Sequence, residues 1–230
     1  MIVGHRGAAG YAPENTLLSF QKAIELGCRA VEMDVHLSKD GEAVIIHDAK
    51  VDRVTDGKGK VRKMTLAQLR QLVLPLNQHI PTLQEAIDLC RGRTKMFIEL
   101  KAKGTPERVA QLAAANKIEN EVVILSFKVG LLKRIKKLDP RLRVGLLFYR
   151  KPLRLWGLIR KVGINYLGPR LSAAKAKLIN KAHKLHRRVY VYGVKDPSSQ
   201  AKMKRWKVDA VCTDFPILFV KQKGRKRDGR

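Results

Sequence analysis

Two histidines, an arginine and two alternating carboxylates stand at the ends of short apolar runs near the start of the chain. His5 and Arg6 follow Ile2-Val3-Gly4, Glu32 and Asp34 alternate within Val31-Glu32-Met33-Asp34-Val35, and His47 follows Ile45-Ile46. Side chains alternate across a strand, so Glu32 and Asp34 share one side while Val31, Met33 and Val35 share the other. Two carboxylates on one face of a buried strand repel each other and lose hydration. A divalent cation with oxygen ligands relieves both penalties. A third carboxylate follows in Lys95-Met96-Phe97-Ile98-Glu99-Leu100-Lys101, where Glu99 and Lys101 share a face. A parallel placement of this strand beside the first brings Glu99 to the pair and Lys101 to the same depth. The bland counterparts are a solvated edge strand and an exposed Glu–Lys pair, which is worth little.

Two histidines titrating near neutrality suit a general acid and a general base. A divalent ion on three carboxylates, with Arg6 and Lys101 close by, suits an anionic group whose charge grows in the transition state. Phosphodiester cleavage needs these parts: a base for the nucleophile, an acid for the leaving alkoxide and cations on the phosphoryl oxygens. Asp48 reads as a turn residue or as a group that orients its neighbour. His36, His79, His183 and His186 carry no such constellation, and the last two read as solvated on a basic helix.

The elements that must position these groups alternate strand with helix. Strand-like runs at 2–5, 30–36, 96–101, 122–125, 143–147, 165–168, 189–193 and 210–213 enclose helical patterns near 14–26, 83–91, 106–116, 129–138, 152–161, 173–185 and 197–206. A closing segment near 215–221 reads as the eighth helix. An extra strand at 43–47 pairs with 30–36 through the Lys39-Asp40-Gly41 turn. Eight strands alternating with helices predict an α/β fold, a (β/α)8 TIM barrel of one domain over residues 1–220. A short excursion at 49–81 follows the second strand, and residues 221–230 form a basic tail expected to be disordered. The carboxyl ends of barrel strands converge on one mouth, and every candidate above comes from the first three strands.

Charge is the compositional oddity. The 230-residue chain has a formal net charge of +28, and residues 1–115 hold 17 basic and 13 acidic side chains against 31 and 7 in residues 116–230. So positive a field favours anionic partners and predicts weak association of the second half with anionic membranes or nucleic acid. A nucleic-acid-binding barrel without catalysis rests on that charge alone, with no aromatic-interleaved motif or zinc spacing behind it. Residues 150–161 mix Leu and Trp with Arg and Lys, which suits an anionic bilayer. Leu155, Leu158, Ile159 and Val162 equally form the core stripe of an outer helix. No apolar run spans a bilayer, and the motif-bearing strand at 2–5 leaves no room for a signal peptide. With Cys28, Cys90 and Cys212 in no zinc or disulfide spacing, a cytoplasmic location, at most peripheral to a membrane, is expected.

The chain resembles the glycerophosphodiester phosphodiesterase family. His5-Arg6-Gly7, Pro13-Glu14-Asn15-Thr16, Glu32-Met33-Asp34-Val35, His47-Asp48, Glu99-Leu100-Lys101, Ser126-Phe127 and Thr213-Asp214-Phe215-Pro216 match its pattern in order and spacing. The resemblance implies metal-dependent hydrolysis of small-molecule glycerophosphodiesters to sn-glycerol 3-phosphate and an alcohol. It implies one Mg²⁺ or Ca²⁺ on Glu32, Asp34 and Glu99, His5 and His47 as acid and base, and Arg6 and Lys101 on the phosphate. The alternative is a lysophospholipase-D-like hydrolase at an anionic membrane surface. Where the family carries a tryptophan and an asparagine after the seventh strand, this chain has Tyr192-Gly193-Val194-Lys195. Phe127, Tyr192 and Lys195 are the expected pocket residues, with Tyr192 as an aromatic wall for glycerol and Lys195 replacing a neutral amide by a charge.

Overall fold

Runs such as Val122-Val123-Ile124-Leu125 are apolar on both faces, the pattern of a parallel strand covered on each side. In the computed structural model, which describes residues 1–219, eight such strands close into a barrel. The order is β1 (Ile2–Gly4), α1 (Leu17–Glu25), β2 (Ala30–Leu37), β3 (Ala43–Ile45), α2 (Leu66–Arg70), α3 (Leu83–Cys90), β4 (Lys95–Leu100), α4 (Thr105–Ala115) and β5 (Val122–Ser126). It continues through α5 (Val129–Leu138), β6 (Arg143–Phe148), α6 (Leu155–Val162), β7 (Tyr166–Pro169), α7 (Ala176–Lys184), β8 (Arg188–Val191), α8 (Pro197–Arg205) and β9 (Ala210–Thr213). The ring runs β1-β9-β8-β7-β6-β5-β4-β2 and is closed by the parallel pairing of β1 with β2. This is the expected TIM barrel. β3 pairs antiparallel with β2 outside the ring, as the Asp40-Gly41 turn predicts.

Strand alternation splits the core into two layers. Outward residues such as Met33, Ile98, Ile124 and Val144 pack under the helices. Inward residues Val3, Phe97, Leu125, Tyr166, Tyr190 and Cys212 fill the barrel, with Phe97 stacked on Tyr190 at 5.1 Å. Glu32 and Asp34 continue the inward set of β2, and the register sets Glu32 beside Phe97 and Asp34 beside Glu99. The barrel is therefore plugged by aromatic and aliphatic side chains below and carries carboxylates above. β2 lies between β1 and β4, which overturns the edge-strand reading of Glu32 and Asp34.

The excursion at 49–81 holds α2 and two short 3₁₀ turns around its own core of Val44, Ile46, Val51, Val61, Leu69, Leu74 and Ile80. α6 spends Leu155, Ile159 and Val162 on the barrel, as an outer helix does. The closing segment is a single 3₁₀ turn, Pro216–Leu218, within the described residues, in place of the expected helix. The tail at 221–230 and residue 220 lie outside them. His183 is also not free: its Nε2 sits 2.9 Å from Asp209 Oδ2, a pairing invisible in sequence because Asp209 precedes the last strand. No helix among the described residues is long and apolar enough to cross a membrane. The three cysteines are buried and unpaired, and burial pushes the Cys28 and Cys90 thiols up to about 12.

One glycine decides how β1 leaves the barrel. Gly7 has φ +86°, and a Cβ there would meet Ser19 Oγ at 2.4 Å and Ser19 backbone at 2.5 Å. The turn therefore needs both the left-handed backbone and the missing side chain. Gly7→Ala is expected to destabilise the fold by about 2–4 kcal/mol, read as a lower urea midpoint, because strain and a backbone clash add.

Candidate active site

The sharp turn after β1 aims its groups into the barrel mouth. Arg6 adopts a left-handed φ of 49°, and its backbone N–H donates to Glu32 Oε2 at 3.0 Å. Asn15, also left-handed, donates from Nδ2 to Asp34 Oδ2 at 2.9 Å and accepts from the Asp34 N–H at 3.3 Å. Glu32, Asp34 and Glu99 are all buried, with oxygens within 4.8 Å of one another. Lys101 Nζ lies 2.9 Å from Glu99 Oε1 and 3.2 Å from Asp34 Oδ1. Arg6 Nη1 donates to Glu14 Oε1 at 2.8 Å, while Nε, 3.3 Å from Asp34 Oδ2, is buried with its N–H aimed at no acceptor.

These contacts leave the carboxylates unequal. Burial, then the Asp34 charge, pushes Glu32 up to about 8. Burial and Asp34 raise Glu99 as well. Burial opposes ionisation of Asp34 too, but Lys101 and Arg6 outweigh it and hold its carboxyl below the usual range. Lys101 is raised, because Asp34 and Glu99 overcome its own burial. The residues fit a hard divalent cation. Their donors are all oxygen, they converge while buried, and Glu32 lacks enough positive charge nearby to keep it ionised.

Both imidazoles are held in the same way. His5 Nδ1 is 2.6 Å from Asp214 Oδ1, and His47 Nδ1 is 2.6 Å from Asp48 Oδ1. A carboxylate at Nδ1 assigns the proton there and turns Nε2 to the pocket. Burial lowers His5, but the Asp214 hydrogen bond and the Glu32 charge outweigh it, so its pKa rises above the ordinary histidine value. His47 falls below that value, burial being the largest cause, with Lys101 and Arg6 adding to it against Asp34 and Asp48. From the excursion, Arg53 donates to Asp48 Oδ2 at 2.6 Å and to both Glu14 oxygens at 3.0 and 2.7 Å. An unbroken chain thus runs from His47 through Asp48, Arg53 and Glu14 to Arg6.

Asp48 and Asp214 touch the imidazoles and not the pocket, which makes them candidate positioning residues. Asp48→Asn and Asp214→Asn should each lower kcat about a hundredfold or more with little change in KM, since an amide no longer fixes the tautomer. Equal losses in kcat and folding stability would mean that the carboxylates serve structure alone.

The pocket over these groups has a volume of about 310 Å³. His5, Arg6, Glu32, His47, Glu99 and Lys101 all line it, and so do Phe127 and Tyr192. Lys195 is outside the lining, 67 % exposed, with Nζ 3.7 Å from Asp214 Oδ2. Sequence reasoning gave no role to Glu14, Asn15, Asp214, Arg53, Tyr149, Arg170 or Tyr190. Glu14, Asn15 and Asp214 sit in motifs already singled out, which is where the signal lay. Tyr149 and Arg170 directly follow β6 and β7, so their strand-end position was the signal, while Arg53 has none because only the folding of the excursion brings it there.

The glycerophosphoryl diester phosphodiesterase family profile matches residues 5–218. The chain is 30 % identical to the glycerophosphodiester phosphodiesterase of Caldanaerobacter subterraneus subsp. tengcongensis over 96 % of each chain. It superimposes with a TM-score of 0.87 and 29 % identity on an Oleispira antarctica phosphodiesterase in complex with the product sn-glycerol-3-phosphate, over 94 % of both chains. The Thermotoga maritima glycerophosphodiester phosphodiesterase matches with a TM-score of 0.85 and 28 % identity over 96 % of both chains. With its profile, its full-length relatives and its barrel in agreement, the chain belongs to the glycerophosphoryl diester phosphodiesterase family.

Proposed function

We propose that the mouth pocket cleaves glycerophosphodiesters to sn-glycerol 3-phosphate and an alcohol, with a divalent cation and with His5 and His47 as general acid and base. One observation carries this reading: two imidazoles, each held by a carboxylate at Nδ1, face one pocket lined by Glu32 and Glu99, whose oxygens group within 4.8 Å with those of buried Asp34. The product held by the Oleispira relative supports the substrate class.

Glu32, Asp34 and Glu99 would hold the cation, Mg²⁺ or Ca²⁺. When bound there, such an ion supplies positive charge for the phosphoryl oxygens as negative charge builds on them. Arg6 and Lys101 hold the phosphate from the same side, and neither can lose its proton at neutral pH. One imidazole takes the proton of the attacking hydroxyl at Nε2 as the new O–P bond forms. The other gives its Nε2 proton to the alkoxide as the old P–O bond breaks. The same pair serves an attacking water, or a neighbouring glycerol hydroxyl whose cyclic phosphate water then opens. Phe127 and Tyr192 supply an apolar wall for the glycerol carbons.

The test is release of sn-glycerol 3-phosphate from glycerophosphocholine and glycerophosphoethanolamine with Mg²⁺, Ca²⁺ or EDTA. Cation-dependent release supports the reading, and undiminished release in EDTA would remove the metal from it. Lysophospholipid hydrolysis has weaker support, since the apolar stripe of α6 is used by the barrel.

A further inference from the structure

Beside the mouth pocket lies a larger cavity, of about 780 Å³. Tyr149 and Arg170 line both, so the two are adjacent. Six cations line the larger one, Arg150, Lys151, Arg170, Lys175, Lys177 and Lys181, and no carboxylate does. None of the six makes an ion pair or a side-chain hydrogen bond with a described residue, although Lys181 Nζ lies 4.8 Å from the centre of the Trp156 ring. Six uncompensated cations repel one another, and a bound anion would relieve that repulsion.

The helices around this cavity break an electrostatic rule in the same direction. A helix N-terminus carries partial positive charge and normally attracts acidic residues. α7 begins after Lys175 with Lys177 in its first turn, no acidic residue there and no side-chain cap. α6 begins after Arg150, Lys151 and Arg154, again with no acid in the first turn and no cap. Side-chain caps are present on α1 (Thr16), α3 (Thr82 with Glu85) and α8 (Asp196), whereas α5, which begins after Lys128, shares the uncapped, acid-free start.

We propose that this cavity binds a second phosphate carried by the leaving alcohol, so that the preferred substrates are glycerophosphodiesters of phosphorylated alcohols. The inference rests on the reading of the mouth pocket given above and adds the chemistry of the leaving group to it. Arg170, at the end of β7, stands where the two cavities meet, its backbone N–H bonded to Phe148 O at 2.9 Å. Tyr149, stacked on Phe127 at 4.8 Å, lies along the same passage. The diester phosphate sits over the carboxylates and the second phosphate among the lysines, with the alcohol carbons along the tyrosine between them.

The test compares kcat/KM of the full chain for glycerophosphoglycerol and for the same compound phosphorylated on the terminal hydroxyl of its leaving glycerol. The phosphorylated diester should be favoured about 10- to 100-fold at low salt, the range of one to two charge-assisted contacts. The preference should shrink in high salt. In K175Q/K177Q/K181Q, whose melting temperature reports folding, the ratio should fall towards one. Equal turnover of the two by the wild type overturns the proposal, and so does a preference that survives in the triple variant. Inorganic phosphate that quenches Trp156 fluorescence without any substrate preference would assign the cavity to free phosphate and overturn it too. If neither diester is hydrolysed, the phosphodiesterase reading itself fails, which is distinguishable from equal hydrolysis of both.

Discussion

His47→Ala lowers kcat for glycerophosphodiester cleavage by about 10²–10⁴-fold, the usual worth of a positioned proton-transfer group, and His5→Ala does the same. Both side chains are about a third exposed, so truncation opens no sealed cavity and the melting temperature should hardly move. The double variant loses little beyond the worse single one, because acid and base act on one reaction coordinate. Substrates with an aryl leaving group tell the two apart. An aryloxide departs without a proton, so activity returns to the variant that lacks the acid and not to the one that lacks the base. The pH profile carries the same assignment. His5 keeps its proton to higher pH than an ordinary imidazole, and His47 loses its proton at lower pH. Between these limits His5 is protonated and His47 neutral, so the profile is a bell with a broad top. A His47→Ala enzyme with wild-type kcat would remove the histidine from the reaction.

Binding of a divalent cation releases close to one proton at pH 7. Glu32, pushed up to about 8 by burial and by Asp34, is protonated there without the cation, and a ligating carboxylate must be ionised. Apparent affinity therefore rises about tenfold per pH unit up to pH about 8 and then levels. Titration calorimetry in two buffers of different ionisation enthalpy counts the proton, and Glu32→Gln abolishes its release. Stability carries the opposite sign. The folded pKa of Glu32 stands above its reference value of 4.5, so the folded state holds an extra proton between that value and about 8. The cation-free protein thus loses stability as pH rises through this window, relative to Glu32→Gln, and the cation restores it. A calorimetric signal independent of buffer would show that Glu32 is ionised before the ion arrives.

How much of this is legible in the sequence depends on where each residue sits. The inward face of β2 and β4 follows from strand alternation alone, so Glu32, Asp34 and Glu99 group together from their spacing and the parallel pairing it implies. His5 follows a ring strand, whose end a parallel barrel brings to the mouth, whereas His47 follows β3, which runs antiparallel beside β2 and carries the chain back to the level of Asp34. Lys195 shows the limit of reading along the chain. It follows Tyr192 closely, but Gly193, with φ 75°, turns the backbone between them, and the lysine pairs with Asp214. Arg53 reaches the site only through the folding of the excursion, which leaves no periodic trace, whereas Tyr149 and Arg170 directly follow β6 and β7 and carry the same strand-end signal as His5. The 3₁₀ turn at Pro216–Leu218 reads as a helix in sequence because apolar spacing over a few residues does not distinguish one turn from several.

The excursion between β3 and α3 has a core of its own, separate from the two layers of the barrel, and from it Arg53 reaches both Asp48 and Glu14. Small satellite cores open at lower free energy than the main body of a domain. The carboxylate that holds His47 therefore leans on a minor module as well as on the ring. Heat or denaturant would silence the enzyme by detaching this one guanidinium while the barrel is still intact. Hardening the enzyme against heat would thus begin in residues 49–81, far from the thickest part of the core.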